Sequence, residues 1–178
     1  MTTSPLNSKN IVLTGFMGVG KTAVGKILAS ELKRNFIDTD QLIEDKAGLT
    51  VTEIFARHGE TYFRNLEEEV INSLGHYPSG SLVIATGGGS VLRESNIKKL
   101  TKNGLVILLT ASPRAIVRRI ARFDQQRPLL SGRESALKVK GMMMERLQYY
   151  RHHSFMIDTT GRKPSLVARE IIEYLKSH

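Results

Sequence analysis

A chain of 178 residues with a net charge of +9, 40% apolar and 24% charged, has the make-up of one globular domain large enough to bury a proper core. The absence of cysteine excludes disulfides and thiolate metal sites. No apolar run approaches the roughly 20 residues that a membrane-spanning helix needs. The polar stretch Met1–Lys9 lacks an apolar signal region, so no membrane partner and a cytoplasmic location are expected.

In chain order, the first strand candidate is Ile11–Thr14, followed by Gly15-Phe16-Met17-Gly18-Val19-Gly20-Lys21-Thr22 and a helical pattern over 21–33. Gly, four residues, Gly, Lys and then Thr between a strand and a helix is the phosphate-loop pattern. Glycines let the backbone wrap a polyphosphate closely, and the helix N-terminus adds positive potential there. The ATP-binding candidates are therefore Gly18, Val19, Gly20, Lys21, Thr22 and Ala23. Lys21 is placed to reach the β- and γ-phosphates, and the Thr22 hydroxyl to ligate Mg²⁺.

The second strand candidate, Asn35–Asp38, is closed by Asp38-Thr39-Asp40. Ligands of open α/β sheets bind beyond the carboxyl ends of the strands, so both acids point toward the crevice that holds the phosphate loop. Asp38 is a candidate for holding a water of the Mg²⁺ shell. Asp40 is one for accepting a hydrogen bond from an acceptor hydroxyl and serving as base. Capping of a following helix is the plainer role open to each. Short helices are expected in an inserted stretch over 39–63, then a helical pattern over 60–74 that carries Tyr62-Phe63-Arg64-Asn65-Leu66-Glu67. Glu67 lies one helical turn from Arg64 and is placed to orient its guanidinium for a carboxylate; a surface ion pair is the alternative.

After the third strand candidate, Leu82–Thr86, come Gly87-Gly88-Gly89, where a typical phosphate-loop NTPase carries a metal-binding acid. Bare backbone there suits close approach of a ligand, and the metal work falls on Thr22 and Asp38. Helical patterns follow over 93–101, 112–121, 135–150 and 165–176, with strand candidates Leu105–Leu109 and Phe155–Ile157; Pro164 suits a first helical turn. The polar stretch 122–134 between two helices reads as a lid. Its Arg127, in Arg127-Pro128-Leu129-Leu130, is placed to approach the γ-phosphate, and Arg146 beyond it to face the acceptor; each is otherwise a solvated surface residue. Apolar strands alternating with helices predict an α/β fold with a parallel sheet covered on both faces.

Residues 93–178 carry 18 Lys and Arg against 7 Asp and Glu, whereas residues 1–92 carry 8 against 10. No consecutive basic tract or basic-aromatic interleaving accompanies the charge, so arginines around small anionic substrates are expected rather than a nucleic-acid surface. No apolar stripe demands a partner, so a monomer is expected.

Taken together, the phosphate loop, Asp38-Thr39-Asp40, Phe63-Arg64 with Glu67, Gly87-Gly88-Gly89 and Arg127-Pro128-Leu129-Leu130 resemble the shikimate kinases, over about Asn10 to Leu175. The resemblance implies a three-layer α/β/α fold with a five-stranded parallel sheet, of phosphate-loop NTPase type. A single domain would include a substrate-binding segment at about 39–66 and a lid at about 122–134. It implies transfer of the ATP γ-phosphoryl group to the 3-hydroxyl of shikimate, with Mg²⁺ as cofactor, on the way to chorismate and the aromatic amino acids. By the same resemblance Lys21, Asp40 and Arg127 are catalytic, with Asp40 binding the shikimate hydroxyls. Arg64 and Arg146 grip the shikimate carboxylate, and Gly87, Gly88 and Gly89 line the substrate, with Gly88 as the backbone contact. Phe55 and Phe63 wall the ring. Arg119 packs on adenine, with Arg118 as the other choice of register, and Arg162 contacts the nucleotide. A gluconate-kinase-like enzyme would keep the loop and lid without this set. A nucleotide-gated binding module would show damage at Lys21, Asp40 or Arg127, and all three are intact. No Asn-Lys-x-Asp guanine motif is present, which argues against a GTPase.

Overall fold

The computed structural model describes residues 8–123 and 133–177. Among them the elements run β1 (Asn10–Thr14), α1 (Lys21–Leu32), β2 (Asn35–Asp38), α2 (Thr39–Ala47), α3 (Val51–Ser73), β3 (Leu82–Ala85), α4 (Glu94–Asn103), β4 (Gly104–Thr110), α5 (Pro113–Phe123), α6 (Arg133–Arg146), β5 (Phe155–Asp158) and α7 (Pro164–Ser177). The strands form one five-stranded parallel sheet in the order β2-β3-β1-β4-β5. All five strand candidates are found, and Pro164 opens α7 as expected of a proline in a first turn.

The apolar strands are buried on both faces because helices pack on each. Ile11 and Leu13 of β1, with Leu105, Ile107 and Leu109 of β4, meet Val24 and Leu28 of α1, Ile116 of α5, and Val167 and Ile171 of α7. The intervening Val12 and Val106 turn to the other face, against Ile71 of α3 and Leu100 of α4. This strict alternation is the pleat, and it explains why the strands read as continuous apolar runs.

One boundary differs from the sequence-based expectation, and two others gain detail. The inserted stretch holds the short helices expected there, α2 and the first part of α3; α3 breaks at Gly59 (φ 79°, ψ 177°), and a second helical segment then runs to Ser73 as the pattern over 60–74 predicts. Thr50 starts α3 with a capping box, its hydroxyl accepting from the Glu53 N–H while the Glu53 carboxylate accepts from the Thr50 N–H. The helix expected over 135–150 ends at Arg146 and tightens into a 3₁₀ turn, Leu147–Arg151. β2 stops at Asp38 as expected, and the Asp38 carboxylate accepts from the Asp40 N–H at 3.1 Å and caps α2. Asp40 thus stands in the first turn of a helix rather than at a strand end. The capping role open to both acids is filled by Asp38.

The α2–α3 unit has its own small core, Ile43, Ile54, Phe63, Leu66 and Val70. The expected lid lies outside the described residues except at its ends, where 122–123 continue α5 and 133–134 open α6; Arg127 is likewise outside them.

Candidate active site

The crevice lies where β1, β2 and β3 end. The phosphate loop turns at Gly15 (φ 137°), Gly18 (φ 75°) and Gly20 (φ 101°). A side chain at Gly15 would collide with the Leu109 carbonyl, so both backbone angle and packing require glycine there. Lys21 opens α1 and folds back over the loop, its Nζ donating to the carbonyls of Gly15 (2.8 Å) and Phe16 (3.0 Å). Burial pushes its ammonium down to about 8, although Asp40 and Asp38 pull the other way. The Thr22 hydroxyl donates to Asp38 at 2.7 Å, which puts the two expected metal residues side by side. Ala23, next on the helix, is exposed.

Of the two neighbouring arginines, Arg119 reaches the loop, whereas Arg118 is exposed. Its guanidinium donates to the carbonyls of Gly18 (3.2 Å) and Val19 (3.1 Å) and to Thr159 (hydroxyl 2.9 Å, carbonyl 2.5 Å). The buried Thr159 hydroxyl itself lies 2.8 Å from the Val19 carbonyl and 3.0 Å from that of Thr110. The back of the phosphate loop is therefore tied to the β5–α7 connection. Arg162 stands on that connection too, but its partners are the Asp158 carbonyl and the Glu170 carboxylate rather than the loop.

The glycine turn after β3 joins this donor side to the acceptor side. The Thr86 N–H donates to the Leu13 carbonyl of β1 (3.0 Å), and the Gly87 N–H to the buried Thr39 hydroxyl (2.9 Å). All three glycines are approached closely. A Cβ at Gly87 would stand 2.5 Å from Asp40 Oδ1, one at Gly88 3.1 Å from the Met17 N, and one at Gly89 2.5 Å from the Arg64 guanidinium. The Asp40 Oδ1 so covered is buried and has no hydrogen-bond partner. Burial, chiefly, and then the nearby Asp38 charge push its carboxyl up to about 6, against the pull of Lys21.

Arg64 is no surface ion pair. Its side chain is 11% exposed and bonds at 2.9 Å to Glu67, which is wholly buried; a second arm reaches the exposed Glu60 at 3.2 Å. The guanidinium carbon lies 5.3 Å from the Phe63 ring centre, and Phe63 packs on Phe55 at 4.7 Å. Arg146, at the end of α6, lies 5.4 Å from the Phe16 ring centre. One turn on, the Tyr150 hydroxyl donates to the Gly88 carbonyl at 2.6 Å; its burial pushes it up to about 12, so it stays a donor. Arg64 and Asp40 thus press on the glycine turn directly, while Arg146 lies against Phe16 of the phosphate loop.

Thr39, Ser90, Tyr150 and Thr159 were not singled out by sequence. Thr39 lies inside the Asp38-Thr39-Asp40 motif and Ser90 directly follows Gly87-Gly88-Gly89, so their small hydroxyls beside Asp40 and Gly89 are the signal the sequence carries. Tyr150 and Thr159 sit in no motif and are brought in by the fold alone.

A family model described as shikimate kinase matches residues 17–176. The chain is 47% identical to a shikimate kinase of Caldanaerobacter subterraneus subsp. tengcongensis, over 94% of this chain and 97% of that protein. It is 44% identical to one of Thermodesulfovibrio yellowstonii, over 93% and 94%. Among solved structures, shikimate kinase from Acinetobacter baumannii in complex with shikimate superposes with a TM-score of 0.85 at 36% identity, covering 95% of this chain and 93% of that one. A phosphate loop, a glycine turn in place of the strand-end acid and a buried arginine beside it accompany this similarity along nearly the whole length, and the chain belongs to the shikimate kinase family.

Proposed function

We propose that the chain transfers the γ-phosphoryl group of ATP to the 3-hydroxyl of shikimate, giving shikimate 3-phosphate and ADP. The observation that carries this reading is the glycine turn, which brings a buried, unpartnered Asp40 oxygen and an oriented Arg64 against the phosphate loop. Phosphoryl transfer is largely positioning and charge stabilisation. Gly18 to Ala23 present backbone N–H groups to the ATP phosphates, and Lys21 leaves its two loop carbonyls for the transferred group. Arg64 and Arg146 grip the shikimate carboxylate, Phe55 and Phe63 wall its ring, and Gly87, Gly88 and Gly89 let the ring approach the loop. The free Asp40 oxygen then takes a hydrogen bond from the 3-hydroxyl and accepts its proton as the oxygen attacks phosphorus. Arg119 borders the adenine side, Arg162 the outer edge of the nucleotide, and Arg127 supplies lid charge.

Mg²⁺ fits the donor side. Thr22 and Asp38 offer one hydroxyl and one carboxylate 2.7 Å apart at a helix N-terminus, a set suited to an ion that keeps waters and takes phosphate oxygens. When bound, the ion neutralises charge on the β- and γ-phosphates. Among the described residues no helix is long and apolar enough to cross a membrane. A single-domain monomer in the cytoplasm, where ATP is available and no nucleic acid is needed, completes the reading.

The test is ADP release from ATP and Mg²⁺ with shikimate, gluconate or a nucleoside monophosphate as acceptor. Turnover with shikimate alone is expected. Equal turnover with gluconate would overturn the assignment.

A further inference from the structure

The acceptor arginine is held from an unexpected direction. Directly after the glycine turn, Ser90 opens a 3₁₀ turn, Ser90–Leu92, and is wholly buried. Its hydroxyl donates to Glu67 Oε1 at 2.6 Å, while the other oxygen of the same carboxylate accepts from Arg64 at 2.9 Å. Ser90 is itself fixed at both ends of its backbone. Its N–H donates to the Gly87 carbonyl at 3.1 Å, and its carbonyl accepts from the buried Asn96 amide at 3.1 Å. Three residues on, Arg93 donates to the backbone carbonyl of Arg64 (3.1 Å), to Glu68 (3.0 Å) and to Asn65 (3.0 Å). The stretch leaving the glycine turn therefore clamps α3 at the main chain of Arg64 and, separately, orients the carboxylate that orients its side chain.

A carboxylate with no exposure is free to rotate about its terminal bond unless both oxygens are held, and that bond has a broad torsional preference. With Arg64 on one oxygen alone, Glu67 would leave the guanidinium plane undetermined. A hydroxyl donor on the second oxygen fixes the plane of the carboxylate and so the fork presented to a ligand.

We propose that Ser90 is a positioning residue for the acceptor: through Glu67 it sets the plane in which Arg64 meets the shikimate carboxylate. The inference rests on the reading of Arg64 as a carboxylate-binding residue. It couples the glycine turn to the acceptor arginine, so one short segment sets both the floor of the site and the angle of its anchor.

The experiment is a double-mutant cycle with Ser90→Ala, Arg64→Ala and the double variant, reading KM for shikimate, KM for ATP, kcat and the unfolding midpoint. Loss of a hydrogen bond to a charged group predicts that Ser90→Ala raises the shikimate KM about five- to tenfold with the ATP KM within about twofold. In the Arg64→Ala background the same substitution is expected to change the shikimate KM by less than about twofold, because the group it acts through is gone. A lowered midpoint with an unchanged shikimate KM would make Ser90 a packing residue and overturn the proposal. An undiminished Ser90 effect without Arg64 would overturn it as well. An unchanged shikimate KM in Arg64→Ala alone is a different failure, one that removes the acceptor-site reading and this inference with it. Should Ser90→Ala not fold, Ser90→Cys, with a similar size and a weaker donor, is expected to raise the shikimate KM by a smaller factor, and a wild-type value there would count against the proposal.

Discussion

Asp40 and Lys21 are both held in protonation equilibria that the free side chains would not choose. The Asp40 carboxyl is raised to about 6 in the folded protein, so its ionisation disfavours the fold. Stability from this group is full below its unfolded value near 3.8 and falls as pH rises toward 6. Asp40→Asn is therefore expected to raise the unfolding midpoint at pH 7, with the gain vanishing below about pH 4, while turnover drops by about 10²–10⁴. For the unaltered enzyme, kcat/KM for shikimate should fall as pH drops through about 6. Lys21, lowered to about 8, runs the other way in charge: its stabilising term is present above 10.5 and lost as pH falls through 8. An activity limb near pH 8 should mark its deprotonation in the free enzyme. A pH profile without the lower limb, or an asparagine variant no more stable than the parent at pH 7, would contradict this picture. Much of this was readable at the residue level: Lys21, Asp38, Asp40 and Arg64 all stood out by type and spacing. What spacing could not give was which acid caps α2 and which is left with a bare oxygen, because that depends on which carboxylate meets the first free N–H of α2.

The same limit operates for elements. The central strands were legible because burial on both faces leaves mostly apolar side chains, whatever the detailed packing. The short helices of the α2–α3 unit were legible too; what was not is that the break between them is made by Gly59 alone, at a φ of 79° that glycine adopts readily. The glycine turn was legible as bare backbone, but not its reason, which is that three different groups press on three successive positions. That reason is testable at Gly89, whose backbone is at negative φ and would tolerate a side chain. A methyl there would stand 2.5 Å from the guanidinium of Arg64, a flexible group that can be pushed aside. Gly89→Ala is therefore expected to lower the unfolding midpoint, because a displaced guanidinium leaves the buried Glu67 carboxylate without its cation, while the shikimate KM rises by about 10–100-fold, on the scale of one displaced charged partner. Isothermal titration with shikimate, beside a thermal melt, checks both halves. Tight binding in the alanine variant would show that the guanidinium does not need its present place.

For the molecule as a whole, the net charge of +9 matters because both substrates are anions. Attraction over the protein surface raises the rate of encounter and is screened within about 8 Å at physiological salt. Raising salt from about 50 mM to about 500 mM is expected to lower kcat/KM for both ATP and shikimate several-fold, with kcat changed much less. A salt-independent kcat/KM would leave the basic half of the chain without this role. The packing carries a different message. The core of the α2–α3 unit contains none of the buried residues that pack the sheet, and the two are bridged by the partly buried Leu42. Much of acceptor recognition is thus housed around a core of its own, while Ile71 anchors the far end of α3 on the sheet. In evolutionary terms, the sheet is a chassis, and the interior between β2 and β3 can be repacked for a new acceptor while the parts of the site on the glycine turn and α6 stay in place.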